Sequence, residues 1–578
     1  MTVVNETDID GVRCFWVDTG RPTLAASLAF RQGMADEPLN ESGWLHLIEH
    51  LVLHGLGGGR LNINGSVGLH HTTFDAHGPN DLVAEHLRVL VQSLVNPDFS
   101  GLSRERDVLA AEAAMRGGAT GRAMAWRYGA RGPGVSHFDE PGLSRATEAA
   151  LTDRAHRVFT RDNAVLVLDG PPPATMSLPL GQGRLFPVPP AVPCDDRLPA
   201  MYVDESGLVL SGVVDRSGPA MMIPPVLERM LKARLRDEAG AAYGPWSTYE
   251  AVDSDHALIV AGSDIGPKIL PELAKEVMDL LNGLDESGLP EEYVQDAVDY
   301  YVQAMSDPYN AFGVAYQTAM LALADRPLMT LEERVTTIRS ATAATLQDDV
   351  ASFRRSLLLG IHGDAAWSDE MPRLEAPLNQ PLEQGRRFRH RDWPAVVEEL
   401  YVGDTAVEIT SDGDARSMIY AEVEGMMAFD DGGRYLVTPD GWGLSLEPHV
   451  WQNGDVAVRL VDERVAPERT MSRPDRGLQP EPRLSPIRRW WGGILNAATH
   501  PVGIVVVCIV IAAVAIGVAI AARGAGIFVL ACGVLIARLI QHHRANRRPR
   551  EGDSRGAGAD HHPNSAVETV SDEVASRR

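Results

Sequence analysis

The stretch Gly43-Trp44-Leu45-His46-Leu47-Ile48-Glu49-His50 decides how the rest of this 578-residue chain is read. It spells H-x-x-E-H. On a helix, His46 and His50 stand about one turn apart and Glu49 follows His46 by three residues, so all three project from one face. Two neutral imidazoles placed this way can chelate zinc, and a non-ligating carboxylate between them can deprotonate water. A third ligand must come from elsewhere, leaving the fourth position open for water and substrate. The bland alternative is a surface helix that happens to carry two unrelated histidines.

Downstream, Ser103-Arg104-Glu105-Arg106-Asp107-Val108-Leu109-Ala110-Ala111-Glu112 reads as a second helix with Glu105 and Glu112 on one face. A carboxylate there can supply the third ligand, while the other orients a histidine from behind. A solvated acidic face balanced by Arg104 and Arg106 is the competing interpretation.

With Gln32-Gly33-Met34-Ala35-Asp36-Glu37-Pro38 leading into Gly43 to Gly55, the region resembles the insulinase/pitrilysin family of zinc metallopeptidases, which includes the mitochondrial processing peptidases. The resemblance implies His46, His50 and Glu112 as ligands of one zinc ion, Glu49 as general base, and Glu105 as the partner that orients a ligating histidine from behind. A later segment, Leu235-Arg236-Asp237-Glu238-Ala239-Gly240-Ala241-Ala242-Tyr243, resembles the R-x-x-x-G-x-x-Y of the family's metal-free half. By that likeness Arg236 and Tyr243 contact substrate and steady an oxyanion. Taken alone, it is an ordinary charged helix end with a glycine cap. Two departures stand out. The interval from His50 to Glu112 is 62 residues, against about 75 in the family, within the inverted-motif class; this implies a deletion at the cleft rim after Gly55. The run Asn64 to Phe74 resembles the family's edge strand, with Gly65, Val67 and Phe74 in place of the usual Ala, Thr and Tyr. Asn64 is expected where a peptide backbone docks, the substrate adding as a strand.

The length suggests three to four domains. A net charge of −25 argues against a nucleic-acid partner. Of the four cysteines, Cys508 and Cys532 lie in an apolar C-terminal stretch, so no disulfide framework is implied. The N-terminus shows no charged-then-apolar signal region, and the catalytic part is expected to face the cytoplasm.

Residues 1–170 alternate strand-like runs (Gly11 to Thr19, Leu24 to Arg31, Ala164 to Leu168) with helical ones (Glu41 to Leu53, Asp81 to Val95, Arg104 to Met115). A Pro-rich linker covers 171–199. The same alternation returns over 200–375, with a helix at Pro224 to Glu238, but without H-x-x-E-H. The fold class expected is α+β: two tandem α/β half-domains of the metallopeptidase clam type, the first zinc-bearing and the second inactive. Family members of this build close as pairs, so a homodimer or a pairing with a related chain is implied. Residues 385–466 suggest a small β domain, with strands at Thr405 to Thr410, Met418 to Val423, Arg434 to Thr438, Gly443 to Leu446 and Val456 to Val461. Asp412-Gly413-Asp414 and Asp430-Asp431-Gly432 lack the remaining ligands of a calcium loop and read as hairpin turns.

A polar tether, 467–486, precedes the second strong signal. Val502 to Ala522 is 21 uncharged residues, enough to span ~30 Å of hydrocarbon. After Arg523-Gly524 a second apolar run continues to Ile540. Basic residues on both outer flanks predict a transmembrane hairpin over 487–541 with both ends inside, and 542–578 as a disordered tail; a single span is the competing topology. Trp490 and Trp491 sit where an interfacial aromatic belt would be. The expectation is therefore a multi-pass, membrane-anchored zinc endopeptidase acting on peptides or unfolded segments. A non-catalytic scaffold holding a partner at the membrane is the alternative.

Overall fold

The run Leu24-Ala25-Ala26-Ser27-Leu28-Ala29-Phe30-Arg31 has almost no side to show to water, and it is the third strand of a sheet covered on both faces. The computed structural model describes residues 3–497 except 57–58, 114–117, 195–196, 205–206, 241–243, 266–269, 363–370, 412 and 479–482. The chain falls into two compact units: residues 3–375 with 437–443, and residues 376–436 with those from 444 on.

In the first unit, strands β1 (Asn5–Ile9), β2 (Val12–Trp16), β3 (Leu24–Arg31), β4 (Asn62–Val67), β5 (His71–Gly78) and β6 (Ala164–Leu168) form one sheet in the order β1-β2-β6-β3-β5-β4. β2 and β6 run parallel, and the other pairs are antiparallel. Helices α1 (Trp44–Leu56), α2 (Asn80–Val95), α3 (Leu102–Ala113), α4 (Ala119–Tyr128) and α5 (Glu148–Val158) follow the same stretch of chain. Leu47, Ile48 and Leu51 of α1 share a core with Val83, Leu87 and Leu90 of α2 and with Leu28, Phe30 and Phe74 of the sheet.

A second sheet, β7 (Ala200–Val203), β8 (Leu208–Asp215), β9 (Trp246–Ala251), β10 (His256–Ser263) and β11 (Leu358–Ile361), has the order β7-β11-β8-β10-β9. The parallel pair is again the one joining an early strand to the last. Strand for strand this repeats β2-β6-β3-β5-β4, so the second half is a structural duplicate. Its helices are α6 (Ile223–Leu231), α7 (Leu270–Ser287), α8 (Glu291–Ser306), α9 (Ala311–Leu323), α10 (Leu331–Arg339) and α11 (Gln347–Arg355). A π-helical segment, Lys232–Glu238, prolongs α6.

Each half lends one helix to the other. Ala311, Ala315 and Ala319 of α9 pack on Phe15, Ala29, Val165 and Val167 of the first sheet. Ala123, Met124 and Tyr128 of α4 pack on Val209, Leu258 and Val260 of the second. Small residues let these helices come close, and burial of both sheet faces explains why β3 and β6 are apolar without alternation.

In the second unit, β12 (Arg386–Arg389), β13 (Glu399–Val402), β14 (Ala406–Ser411) and β15 (Asp414–Ile419) form an antiparallel meander. β16 (Gly425–Phe429), β17 (Arg434–Val437), β18 (Gly443–Leu446) and β19 (Thr470–Arg473) form another sheet, in the order β18-β17-β16-β19. Helices α12 (Gly454–Asp462) and α13 (Pro486–Ala497) complete it.

Four expectations are corrected. Asn64 to Phe74 is not one strand but a hairpin, with Gly68 N donating to His71 O at the turn. Val456 to Val461 is helical, because Ala457, Val458 and Val461 face the core at helical spacing. The strand expected at Met418 to Val423 ends at Ile419 and gives way to a 3₁₀ turn, Tyr420–Glu422. The expected tether 467–486 contains β19, which pairs parallel with β16. Among the described residues no helix is long and apolar enough to cross a membrane; the spans expected within 502–540, the tail and Asp412 lie outside the described residues.

Candidate metal centre

α1 begins abruptly. Gly43 takes φ +86°, a left-handed conformation that favours glycine, and Glu37 accepts hydrogen bonds from Gly43 N (2.9 Å) and Leu45 N (2.8 Å). Burial pushes the Glu37 carboxyl up to about 8, against Arg154 and these two donors. From this anchored start, Leu47, Ile48 and Leu51 turn into the core, while His46, Glu49 and His50 share another face.

The donor atoms of His46, Glu49 and His50 all lie within 4.8 Å of one another. The two rings meet edge to face with centroids 4.7 Å apart. Both Nε2 atoms look toward the same carboxylate, each 3.8 Å from Glu49 Oε2. Glu112, on α3, brings its Oε2 to 3.9 Å from His50 Nε2, with its side chain 39% exposed. Two ligands of a tetrahedral zinc at ~2.0–2.1 Å sit ~3.3 Å apart. The His50–Glu112 spacing is thus within a small side-chain adjustment of that value, and the donor chemistry of two imidazoles with a carboxylate fits the ion.

The other ring nitrogens face acids too. His50 Nδ1 lies 3.3 Å from Glu105 Oε2. Burial opposes ionisation of Glu105, but hydrogen bonds from Arg104 and His50 outweigh it and hold the carboxyl below its usual range. His46 Nδ1 lies 3.1 and 3.2 Å from the two oxygens of Glu140. Nothing in the sequence distinguishes Glu140 among 78 acidic residues. It lies beyond α4, and the fold alone brings it to His46. It is buried and left-handed, φ 46° and ψ 52°, a backbone that costs a non-glycine residue roughly 1–2 kcal/mol.

Next to α1 runs the edge strand β4. A Cβ on Gly65 would fall on the Glu49 carboxylate, so this face of β4 abuts the site. Asn64 is therefore on the opposite face, exposed, with its Cα paired to Asp75. Arg236 lies in the π-helical extension of α6 and is exposed; Tyr243 lies outside the described residues. The structure thus gathers His46, Glu49, His50, Glu105 and Glu112, adds Glu140, and brings Asn64 to the neighbouring strand without pointing it at the histidines. The second half offers nothing equivalent on α6, whose sequence Ile-Pro-Pro-Val-Leu-Glu-Arg-Met-Leu contains no histidine.

No family model and no curated protein matches the chain. Solved structures do share its fold. A protease from Helicobacter pylori matches with a TM-score of 0.50 at 13% identity, over 62% of this chain and 99% of that one. A chain of complex III2 from Candida albicans matches with a TM-score of 0.51 at 15% identity, over 62% of this chain and 95% of that one. A peptidase M16 inactive domain from Pseudomonas fluorescens matches with a TM-score of 0.50 at 14% identity, over 63% and 98%. The chain shares the fold of these structures, of which one is named a protease and another a peptidase domain described as inactive.

Proposed function

We propose that the chain is a zinc-dependent endopeptidase that hydrolyses peptides or unfolded segments. The observation that carries this reading is the convergence of both imidazole Nε2 atoms on Glu49, with Glu112 3.9 Å from one of them. His46, His50 and Glu112 would hold the ion, which supplies Lewis acidity toward water and a carbonyl oxygen. Glu49 takes the proton of the attacking water on Oε2 and returns it to the leaving amine. β4 supports a substrate pose. It is the last strand of its sheet and its Gly65 lies under Glu49, so a peptide pairing with that edge would carry its scissile bond past the base. Asn64 would contact the same peptide from the far face, and Arg236 and Tyr243 would act in this site or in that of a partner chain, a second copy or a relative. The run 502–540 would anchor the chain in a membrane as a hairpin, with the peptidase halves on the cytoplasmic side.

The non-catalytic reading rests on Glu112, which is half out in solvent and outside the tight cluster of three. One experiment separates the two. Purified protein should bind one zinc per chain and cleave a peptide library in a chelator-sensitive manner, and Glu49→Gln should keep the zinc while losing turnover by at least a hundredfold. A wild-type chain without stoichiometric zinc, or a Glu49→Gln chain with full turnover, refutes the enzyme.

A further inference from the structure

We propose that Glu140 is a positioning residue for His46: it fixes the tautomer and the ring angle with which His46 presents Nε2. The inference rests on the zinc reading above. It starts from a symmetry in the site. Each histidine has its Nδ1 against a carboxylate, His50 against Glu105 and His46 against Glu140, and each has its Nε2 turned toward Glu49. A carboxylate facing Nδ1 must receive a proton from it, which leaves the Nε2 lone pair free for a ligand. Glu140 does this with both oxygens, at 3.1 and 3.2 Å, from a position only 5% exposed.

The surrounding contacts hold that acid in place. Trp44 Nε1 donates to Gly142 O at 2.9 Å, and Gly142 N donates to Ser42 Oγ at 3.2 Å, which clamps the segment after Glu140 to the start of α1. The two backbones come so close that a Cβ on Gly43 would stand 2.8 Å from Glu140 Cβ and one on Gly142 would stand 2.4 Å from Ser42 N. Glu140 itself is left-handed. Glycine or asparagine takes that conformation more readily and would serve if the segment were only a connection. A buried acid there is explained by what its side chain reaches.

The test is zinc affinity of the full chain, measured by competition with a chromophoric chelator, together with the visible spectrum of the cobalt-substituted protein and thermal unfolding of the metal-free form. Glu140→Leu removes the acceptor and should weaken zinc binding 10- to 100-fold, with a shifted cobalt spectrum because the His46 ring is no longer oriented. Glu140→Gln keeps an oxygen that can accept from Nδ1 while losing the charge, so a smaller loss of threefold or more is expected. A structural role alone would lower the unfolding midpoint of both variants and leave affinity and spectrum unchanged. Zinc affinity within threefold of wild type in Glu140→Leu overturns the inference. Should that variant fail to fold, an unchanged affinity in Glu140→Gln does the same. If wild type itself binds no zinc, the metal reading falls and takes this role with it; if wild type binds and the variants match it, only the role of Glu140 falls.

Discussion

Glu49 rests its carboxylate on the bare α-carbon of Gly65, so closely that a β-carbon on residue 65 would lie 2.1 Å from Glu49 Oε1. The glycine on the edge strand and the carboxylate on the helix are therefore one fitted pair. Gly65→Ala leaves the β4 backbone free to stay put, since the far end of a side chain can move, but Glu49 must rotate away. Misplacing a reacting group by about 1 Å costs on the order of 10²-fold in rate. The expected result is a 10- to 100-fold lower kcat with zinc content unchanged, read from steady-state kinetics beside metal analysis. Full kcat in Gly65→Ala would mean that the base works from another position.

His70 joins the two halves by donating from Nε2 to Ala251 O at 3.0 Å. Burial, with Arg31 and His71 nearby, outweighs Asp36 and the hydrogen bond to Ala251 O and pushes its pKa down to about 4. Above pH 6.5 the ring is neutral whether the chain is folded or unfolded, and the full stability is present. Between 6.5 and 4 the unfolded chain takes up a proton that the folded one refuses, so stability falls as the pH drops through that window. The ceiling on this contribution is about 3 kcal/mol. His70→Gln removes the titration. Its unfolding midpoint should fall less than that of wild type between pH 7 and pH 4.5, and parallel curves would show that His70 is not the group responsible.

The parts of the site that one helix turn defines were legible in the sequence. His46, Glu49 and His50 share a face because three- and four-residue spacings on a helix leave no other arrangement. Glu140 was not legible, because its approach to His46 depends on Gly43, Gly142 and Trp44 meeting across the fold. Local alternation misled in two places. Asn64 to Phe74 keeps a strand-like character through Gly68, and only the hydrogen bonds at Gly68 show the chain reversing. Val456 to Val461 mixes apolar residues at both periods. The structure resolves the ambiguity with Asn453, left-handed at φ 61°, just ahead of the first turn of α12. The duplication of the two halves was visible only as alternation; the shared strand order and the exchange of α4 and α9 are tertiary facts.

α4 is held to the second half by a buried fork: Arg122 Nε to Asp204 Oδ2 at 3.0 Å and Nη2 to Oδ1 at 3.2 Å, with side chains 7% and 0% exposed. Burying two charges carries a desolvation cost that the pairing roughly offsets, so the pair adds little net stability over apolar residues of the same size. Losing one member is different, because the remaining charge stays in the interior without its fork. Arg122→Met and Asp204→Leu should each lower unfolding stability by about 3–5 kcal/mol, while the double variant should recover most of that loss. Urea denaturation of the four proteins completes the cycle. Since neither residue touches His46, Glu49 or His50, zinc affinity of the folded fraction should stay at the wild-type value in all of them. Single variants that each cost less than 1 kcal/mol would show that the apolar contacts of Ala123, Met124 and Tyr128 dock α4 without help from the ion pair.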